Sequence, residues 1–218
     1  MTADKPLDAA WVIAWVRCAA DALAEHAEEL TAMDSAVGDG DHAANLERGL
    51  RACVNTFDTA VMEGREPSTP GAALKTLATT LLATVGGASG PLLAAAFLRA
   101  SRCVTTPVLS ADGVARLLEE ASTGVAVRGR AERGDKTMLD AWLPASAAAR
   151  AAADSGSSPL QVLTAAAAAA EEGAAATESM TALKGRASYH GAGSIGHRDP
   201  GAQSTALLLD AAARAAQS

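Results

Sequence analysis

The feature that most restricts the fold of this chain is the near absence of β-strand patterns. Aromatic residues make up 3% of the sequence, and no convincing alternation of apolar and polar residues is bounded by turn residues. Apolar residues recur instead at three- and four-residue spacing, as in Trp11, Trp15 and Leu23. The sequence therefore predicts an all-α fold.

Helical periodicity and the positions of Pro and Gly predict roughly eight helices. The expected ranges are about 7–30, 42–57, 72–84, 91–103, 110–127, 138–153, 159–183 and 204–216. No repeat or internal linker divides the chain, so we expect one domain over residues 1–218. The stretch 184–200 is long and poorly helical, which is typical of a functional loop.

Composition excludes several classes of protein. A net charge of −7 argues against a nucleic-acid partner, because such binding needs a basic surface. No long uncharged apolar run occurs, and no basic start with an apolar segment opens the chain, so we expect no membrane span and a cytoplasmic protein. Cys18, Cys53 and Cys103 are widely spaced within helical patterns and are expected to be buried thiols.

The acidic segment DSAVGDGDHAAN, residues 34–45, carries Asp34, Asp39 and Asp41. Two such charges about 5 Å apart repel by roughly 3 kcal/mol at an effective dielectric constant near 20, so a cation is expected among them. Oxygen ligands on a flexible loop suit Mg²⁺, with His42 and Asn45 facing the phosphates of a ligand. The alternative is a solvated acidic turn that caps a helix.

Two shorter motifs lie at other predicted helix starts. GGASGP, residues 86–91, allows close backbone approach, and Ser89 could bind a phosphate oxygen, although a plain corner between helices would look similar. GDKTM, residues 134–138, places a cation and a hydroxyl at a helix start. In the alternative interpretation Asp135 caps the helix and Lys136 is solvated.

The segment KGRASYHGAGSIGHRDPGAQS, residues 184–204, is a candidate phosphate lid. It gathers the cationic or titratable side chains Lys184, Arg186, His190, His197 and Arg198. Asp199 and Pro200 are expected to start the last helix. The alternative is that Arg186 and Asp199 only tie the loop down.

Together and in this order, the four motifs closely resemble the nucleotide-binding (L) subunit of dihydroxyacetone kinases, over nearly the whole chain. The resemblance implies an eight-helix antiparallel barrel or bundle with ADP or ATP in a pocket at one end, bound through two Mg²⁺ ions. It implies metal ligands at Asp34, Asp39 and Asp41. It implies nucleotide contacts at His42, Ala43, Ala44, Asn45, Ala88, Ser89, Gly129, Met138, Arg186, Asp199, Pro200 and Gly201. The chain departs from the family at Ala43, where Gly is expected, and in LLAAAF after GGASGP, which lacks the usual aromatics.

The resemblance also implies a phosphotransferase that is active only with a partner. The ketose would be held by a separate K subunit, and no catalytic residue is assigned to this chain. The donor is either exchangeable ATP or a permanently held ADP rephosphorylated by a phosphotransferase-system M protein, and the sequence leaves both open. Two alternatives are an L subunit for another small sugar, such as a tetrose, and a non-catalytic ADP-bound regulatory module that binds a transcription factor.

Overall fold

The computed structural model describes residues 5–217, and within that range the protein is all-α. Its only β-type pairing there is an isolated antiparallel bridge between Leu7 and Leu109. The α-helices are α1 (Ala9–Glu25), α2 (Ala27–Val37), α3 (His42–Met62), α4 (Pro70–Thr84), α5 (Ser89–Cys103), α6 (Ala111–Gly129), α7 (Leu139–Asp154), α8 (Pro159–Ala176) and α9 (Pro200–Gln217). Two 3-10 helices, Thr177–Ser179 and Arg186–Ser194, lie between α8 and α9. The prediction of an all-α fold is confirmed.

Several helices begin at side chains that satisfy free backbone N–H groups. Asp8 accepts a hydrogen bond from Trp11 N at 3.1 Å, and Thr69 and Ser110 act similarly at α4 and α6. Ser158 forms a complete capping box at the start of α8. Helix starts are therefore set largely by local sequence.

The predicted first helix, about 7–30, is two helices. α1 ends at Glu25, His26 adopts a non-helical conformation, and α2 continues to Val37. The signal that was missed is the glutamate pair in the first turn of α2, which favours a helix N-terminus. As a result Asp34 belongs to a helix rather than to the acidic loop.

The end of the chain also differs from prediction. The helix expected over 159–183 stops at Ala176, and the last helix starts at Pro200 rather than at residue 204. Asp199 caps that last helix by accepting a hydrogen bond from Ala202 N at 2.8 Å. The expected role of Asp199 and Pro200 in starting the helix is confirmed.

The core joins most of the helices in one continuous apolar cluster. Trp15 packs its ring against Trp11 and Phe97, and Phe97 in turn contacts Trp142, which links α1, α5 and α7. Trp15 Nε1 also donates to Leu208 O at 2.7 Å, so the first helix is tied to the last. Helices α3 to α9 each pack against the next along the chain, and α1 packs against both α3 and α9.

Small side chains allow the closest helix contacts. A Cβ built on Gly173 in α8 would lie 2.3 Å from Asp140 O in α7. The alanine-rich helix therefore packs backbone against backbone.

The three cysteines differ in burial. Cys53 is buried, as expected, whereas Cys18 and Cys103 are partly exposed, so the prediction of buried thiols is wrong for these two. Across residues 5–217, no helix combines the length and apolarity that a membrane span requires.

Candidate metal and nucleotide site

A cavity of about 430 Å³ opens where several helix ends meet. Its walls come from the end of α2, the starts of α3, α5 and α9, the end of α6 and the segment before α7. The helix starts point free N–H groups and the positive ends of their dipoles toward this space. Such an arrangement suits an anionic ligand.

Three carboxylates converge on one wall of the cavity. Asp34 lies in the last turn of α2, and Asp39 and Asp41 follow in the loop before α3. One oxygen from each lies within 4.8 Å of the others. A Cβ at Gly38 would lie 2.3 Å from Asp34 Oδ1, so a larger residue at this position would displace that carboxylate. These oxygens form a donor set suited to a hard divalent cation such as Mg²⁺.

His42 connects this acidic cluster to α9. Its backbone N donates to Asp34 Oδ2 at 3.1 Å, and its Nε2 lies 2.9 Å from Ser204 Oγ. Burial lowers the pKa of His42, against the opposing influence of Asp34 and Asp41. The imidazole is therefore neutral near pH 7 and offers hydrogen bonding rather than positive charge.

Only part of the expected phosphate lid reaches the cavity. Lys184 and Arg186 line it, and Arg186 pairs with Asp39. Arg198 instead bonds to Glu171 Oε1 at 2.8 Å, and His190 and His197 are exposed and do not line the cavity. Both ends of the segment therefore line the cavity, through residues 184–187 and 199–201, whereas His190, His197 and Arg198 between them do not.

Lys136 is fully buried, contrary to the interpretation in which it is solvated. Its Nζ donates to Met180 O at 3.0 Å and also to Ser194 O. Burial lowers the pKa of Lys136, while the carboxylates of Asp199 and Glu178 oppose the shift. Lys136 lines the cavity, and its ammonium holds two backbone segments together.

Asp199 is the most perturbed carboxyl group of the cavity. Burial, reinforced by nearby Asp140, raises the pKa of Asp199 to about 7, although Ala202 N and Lys136 favour the charged form. Its backbone N donates to Thr177 Oγ1 at 2.9 Å. A carboxyl in this position is protonated for part of the time at neutral pH.

The residues expected from the resemblance line the cavity with three exceptions. Ala43 is packed in the core, Ala44 is exposed, and Asn45 is buried and accepts a hydrogen bond from Arg48 Nη2 at 2.6 Å. The members that do line it are Asp34, Asp39, Asp41, His42, Ala88, Ser89, Gly129, Met138, Arg186, Asp199, Pro200 and Gly201.

Sequence reasoning missed an apolar part of the wall formed by Leu92, Val125 and Ala131, together with Arg128. Val125 lies four residues before Gly129 on α6, which places both on one helix face. That spacing was a usable signal. Leu92 and Ala131 carried no such signal, because single apolar residues at helix ends are common.

Comparison with known proteins places these observations in a family. The DAK2 domain profile matches residues 36–214. The chain is 36% identical to the ADP-binding subunit DhaL of the PEP-dependent dihydroxyacetone kinase 1 of Listeria innocua, over 97% of this chain and 96% of the relative. It is also 36% identical to the corresponding subunit of Escherichia coli, over 94% and 96% of the two chains.

A longer relative and a solved structure match in the same way. Human triokinase/FMN cyclase is 35% identical over 88% of this chain, which spans 32% of that protein. The crystal structure of the dihydroxyacetone kinase from C. freundii with AMP-PNP and Mg²⁺ superposes with a TM-score of 0.72 at 24% identity, over 97% of this chain and 35% of the other. That likeness supports the fold. The chain therefore belongs to the DAK2 domain family, which confirms the resemblance expected from its four motifs.

Proposed function

We propose that this chain is the nucleotide-binding subunit of a dihydroxyacetone-type kinase. The observation that carries the proposal is the convergence of Asp34, Asp39 and Asp41 on a cavity walled by helix N-termini. The relatives from Listeria and Escherichia, which are ADP-binding subunits of dihydroxyacetone kinases, support it. The chain would bind Mg-ADP or Mg-ATP and present a phosphoryl group to a ketose on a separate K subunit.

The three aspartates would hold two Mg²⁺ ions. Between them they offer six carboxylate oxygens, few enough to leave coordination positions for phosphate oxygens. When bound, Mg²⁺ neutralises charge on the transferring phosphoryl group. Asp34 also accepts a hydrogen bond from His42 N, so its orientation is set before any ligand arrives.

The remaining wall divides into parts that suit a nucleotide. Leu92, Val125 and Met138 offer apolar surface for a base, and Ser89 begins α5 where a phosphate could accept hydrogen bonds. Ala43 and Ala44 would contribute through their backbone N–H groups. These groups lie in the first turn of α3, where no helix carbonyl is available to accept a hydrogen bond from them. Their side chains need not face the ligand.

We further propose that the chain forms one domain over residues 1–218, an eight-helix antiparallel barrel with the pocket at one end. The packing of each helix from α3 to α9 on the next, with α1 against α3 and α9, supports a closed ring of eight that leaves α2 outside. In an antiparallel ring the starts of α3, α5, α7 and α9 fall at the same end, where the cavity residues cluster.

The acceptor would be supplied by the partner, since nothing among the residues that line the cavity resembles a covalent site for a carbonyl. The names of the PEP-dependent relatives favour the arrangement in which a held ADP is rephosphorylated by a phosphotransferase-system M protein. The match to human triokinase keeps another small sugar as a second candidate acceptor.

Reconstitution tests the proposal. The purified chain with Mg-ATP and dihydroxyacetone should give no phosphorylated ketose until the K subunit is added. Turnover that persists with free ATP alone identifies the exchange arrangement, whereas turnover that needs the M protein and phosphoenolpyruvate identifies a held ADP. Efficient phosphorylation by the chain alone would overturn the division of the site between two subunits.

A further inference from the structure

A second depression, here called the arginine groove, lies between α5 and α6 and has a volume of about 420 Å³. Four of the residues that line it are arginines: Arg99 and Arg102 on α5, Arg128 in the last turn of α6, and Arg130 just after that helix. Among the described residues that line the groove, none carries a carboxylate. The groove is therefore a local concentration of positive charge in a chain whose net charge is −7.

The floor of the arginine groove is a close contact between two antiparallel helices. A Cβ built on Gly124 in α6 would lie 2.6 Å from Ala95 O in α5, and Arg99 pairs with Glu120 one helical turn further along. Residue numbers thus rise along α5 as they fall along α6. The small residues Ala95 and Gly124 both line the groove, and they leave space above the contact.

The arginine side chains approach this floor from both helices. Side chains on an α-helix lean toward its N-terminus, so in an antiparallel pair Arg102 leans toward Ala95 and Arg128 leans toward Gly124. Arg130 follows α6 in a left-handed conformation, with φ 48° and ψ 40°. Glycine is the usual residue at such a helix end, and strained non-glycine positions of this kind cluster at ligand sites.

Three of the four guanidinium groups have no carboxylate partner. Arg99 is paired with Glu120, whereas Arg102, Arg128 and Arg130 form no ion pair with any residue in the range 5–217. Each guanidinium presents a planar set of N–H donors that matches the oxygens of a phosphate group. The groove therefore offers several unused phosphate-binding side chains.

We propose that the arginine groove is a second anion site, which binds a small ligand with two or more phosphate groups. Several phosphates are needed because the unpaired guanidiniums come from both helices. The volume of the groove is in the range of small-molecule sites, and Leu98 and the exposed Val127 offer apolar surface to an organic part. Arg128 also lines the cavity described above, so the two sites adjoin.

A small ligand suits the arginine groove better than a macromolecule does. The positive charge is confined to this groove, whereas the chain as a whole carries a net charge of −7. A nucleic acid or a large acidic protein would meet repulsion beyond the groove, whereas a small anion meets only the groove itself.

Calorimetry with inorganic tripolyphosphate in EDTA at low ionic strength tests the proposal. EDTA removes divalent metal, and without metal the three aspartates of the cavity repel a polyanion, so binding reports on the arginine groove. The wild type should bind one equivalent with a Kd below about 1 mM. Absence of binding under these conditions would overturn the inference.

Variants locate the bound anion. Arg102→Gln and Arg130→Gln should each weaken tripolyphosphate about fivefold or more, and the double variant should lose measurable binding. Neither residue lines the cavity, so Mg-ADP affinity should not change. Arg116→Gln is the matched control, because Arg116 is an exposed arginine of α6 that does not line the groove. Circular dichroism verifies the helical fold of each variant.

Two results with these variants would contradict the proposal. Tripolyphosphate binding that survives the double substitution would place the anion elsewhere on the protein. Equal weakening by Arg116→Gln would show a general attraction to positive charge instead of a site. Because these titrations contain EDTA and those of the proposed function contain Mg²⁺, either idea can fail without the other.

Competing ligands identify the source of the phosphates. ATP in EDTA that binds more tightly than tripolyphosphate, and that the double variant no longer binds, would identify an organic phosphate as the ligand. Equal affinities would identify the phosphate chain alone as the recognised group. Polyglutamate that binds more tightly than both, with the same dependence on Arg102 and Arg130, would overturn the small-ligand proposal in favour of an acidic protein.

Discussion

Arg186 and Asp39, which lie 147 positions apart in the chain, form an ion pair across the edge of the cavity. Asp39 is also one of the three carboxylates that converge there. A guanidinium and a divalent cation would compete for this carboxylate, whereas a phosphate ligand offers Arg186 another partner. Arg186 is therefore expected to oppose binding of the metal alone and to favour binding of the metal with nucleotide.

Replacing Arg186 with Ala should change these two affinities in opposite directions. Calorimetry should show Mn²⁺ alone binding several-fold more tightly and Mg-ADP binding about tenfold more weakly. Arg186→Lys should also weaken Mg-ADP, because lysine lacks the planar fork of donors. Arg17→Ala, which removes an exposed ion pair with Asp58, is the control and should change neither affinity.

Asp39→Asn should weaken ADP binding in the presence of Mg²⁺ by well over tenfold, about 1.4 kcal/mol or more. The reason is the loss of an anionic ligand from a cluster of three carboxylates. Asp58→Asn, at an exposed carboxylate on α3, should bind ADP normally. ADP affinity that is unaffected by excess EDTA would rule out the metal site.

Lys136→Met should loosen the segment between residues 180 and 198. Two backbone carbonyls, those of Met180 and Ser194, would lose their donor, at a cost of about 1–3 kcal/mol for each that is left buried and unpaired. Amide hydrogen exchange over residues 182–198 should become faster than in the wild type. Lys75→Met, at an exposed position on α4, should leave exchange unchanged. Equal protection in both variants would mean that Ala187 and Arg186 hold the loop without Lys136.

The pKa of Asp199, raised by burial to about 7, predicts a pH-dependent stability. The folded state holds the proton of Asp199 more tightly than the unfolded chain does. The stabilisation that this proton gives to the folded state is therefore fully present below pH about 4 and is lost as pH rises through about 7. Asp199→Asn cannot ionise and avoids that loss. The free energy of unfolding of the variant minus that of the wild type should rise by about 2 kcal/mol between pH about 5.5 and about 7.5. Denaturant titrations at several pH values measure it, and a constant difference would contradict the raised pKa.

Gly173→Ala should destabilise the fold although it improves helix propensity. A Cβ at this position would lie 2.3 Å from Asp140 O and 2.8 Å from Pro144 Cγ, so α7 and α8 would have to separate. We expect a net loss of about 1–3 kcal/mol by denaturant unfolding. Ala168→Gly, at an exposed position of the same helix, is the control, because it changes helix propensity without changing packing. It should lower the free energy of unfolding by about 1 kcal/mol. A gain in stability for Gly173→Ala would show that the helices can move apart freely.

The sequence by itself determined the features that depend on neighbours within a few residues. The three- and four-residue spacing of apolar residues predicts helices, and Ser110 predicts the start of α6, because periodicity and capping are local. The crowding of Asp34, Asp39 and Asp41 within eight positions likewise predicts a cation site before any fold is known. Which residues contact the nucleotide stays a prediction.

Only the tertiary structure decided which residues meet across the chain. The sequence left open whether Lys136 is solvated at a helix start, yet the side chain is fully buried, because the loop from 180 to 194 closes over it. Of the lid cations, Lys184 and Arg186 face the cavity, whereas Arg198 is drawn to Glu171 on α8. Burial and charge pairing are set by packing between distant segments, and a local pattern carries no information about which segments those are.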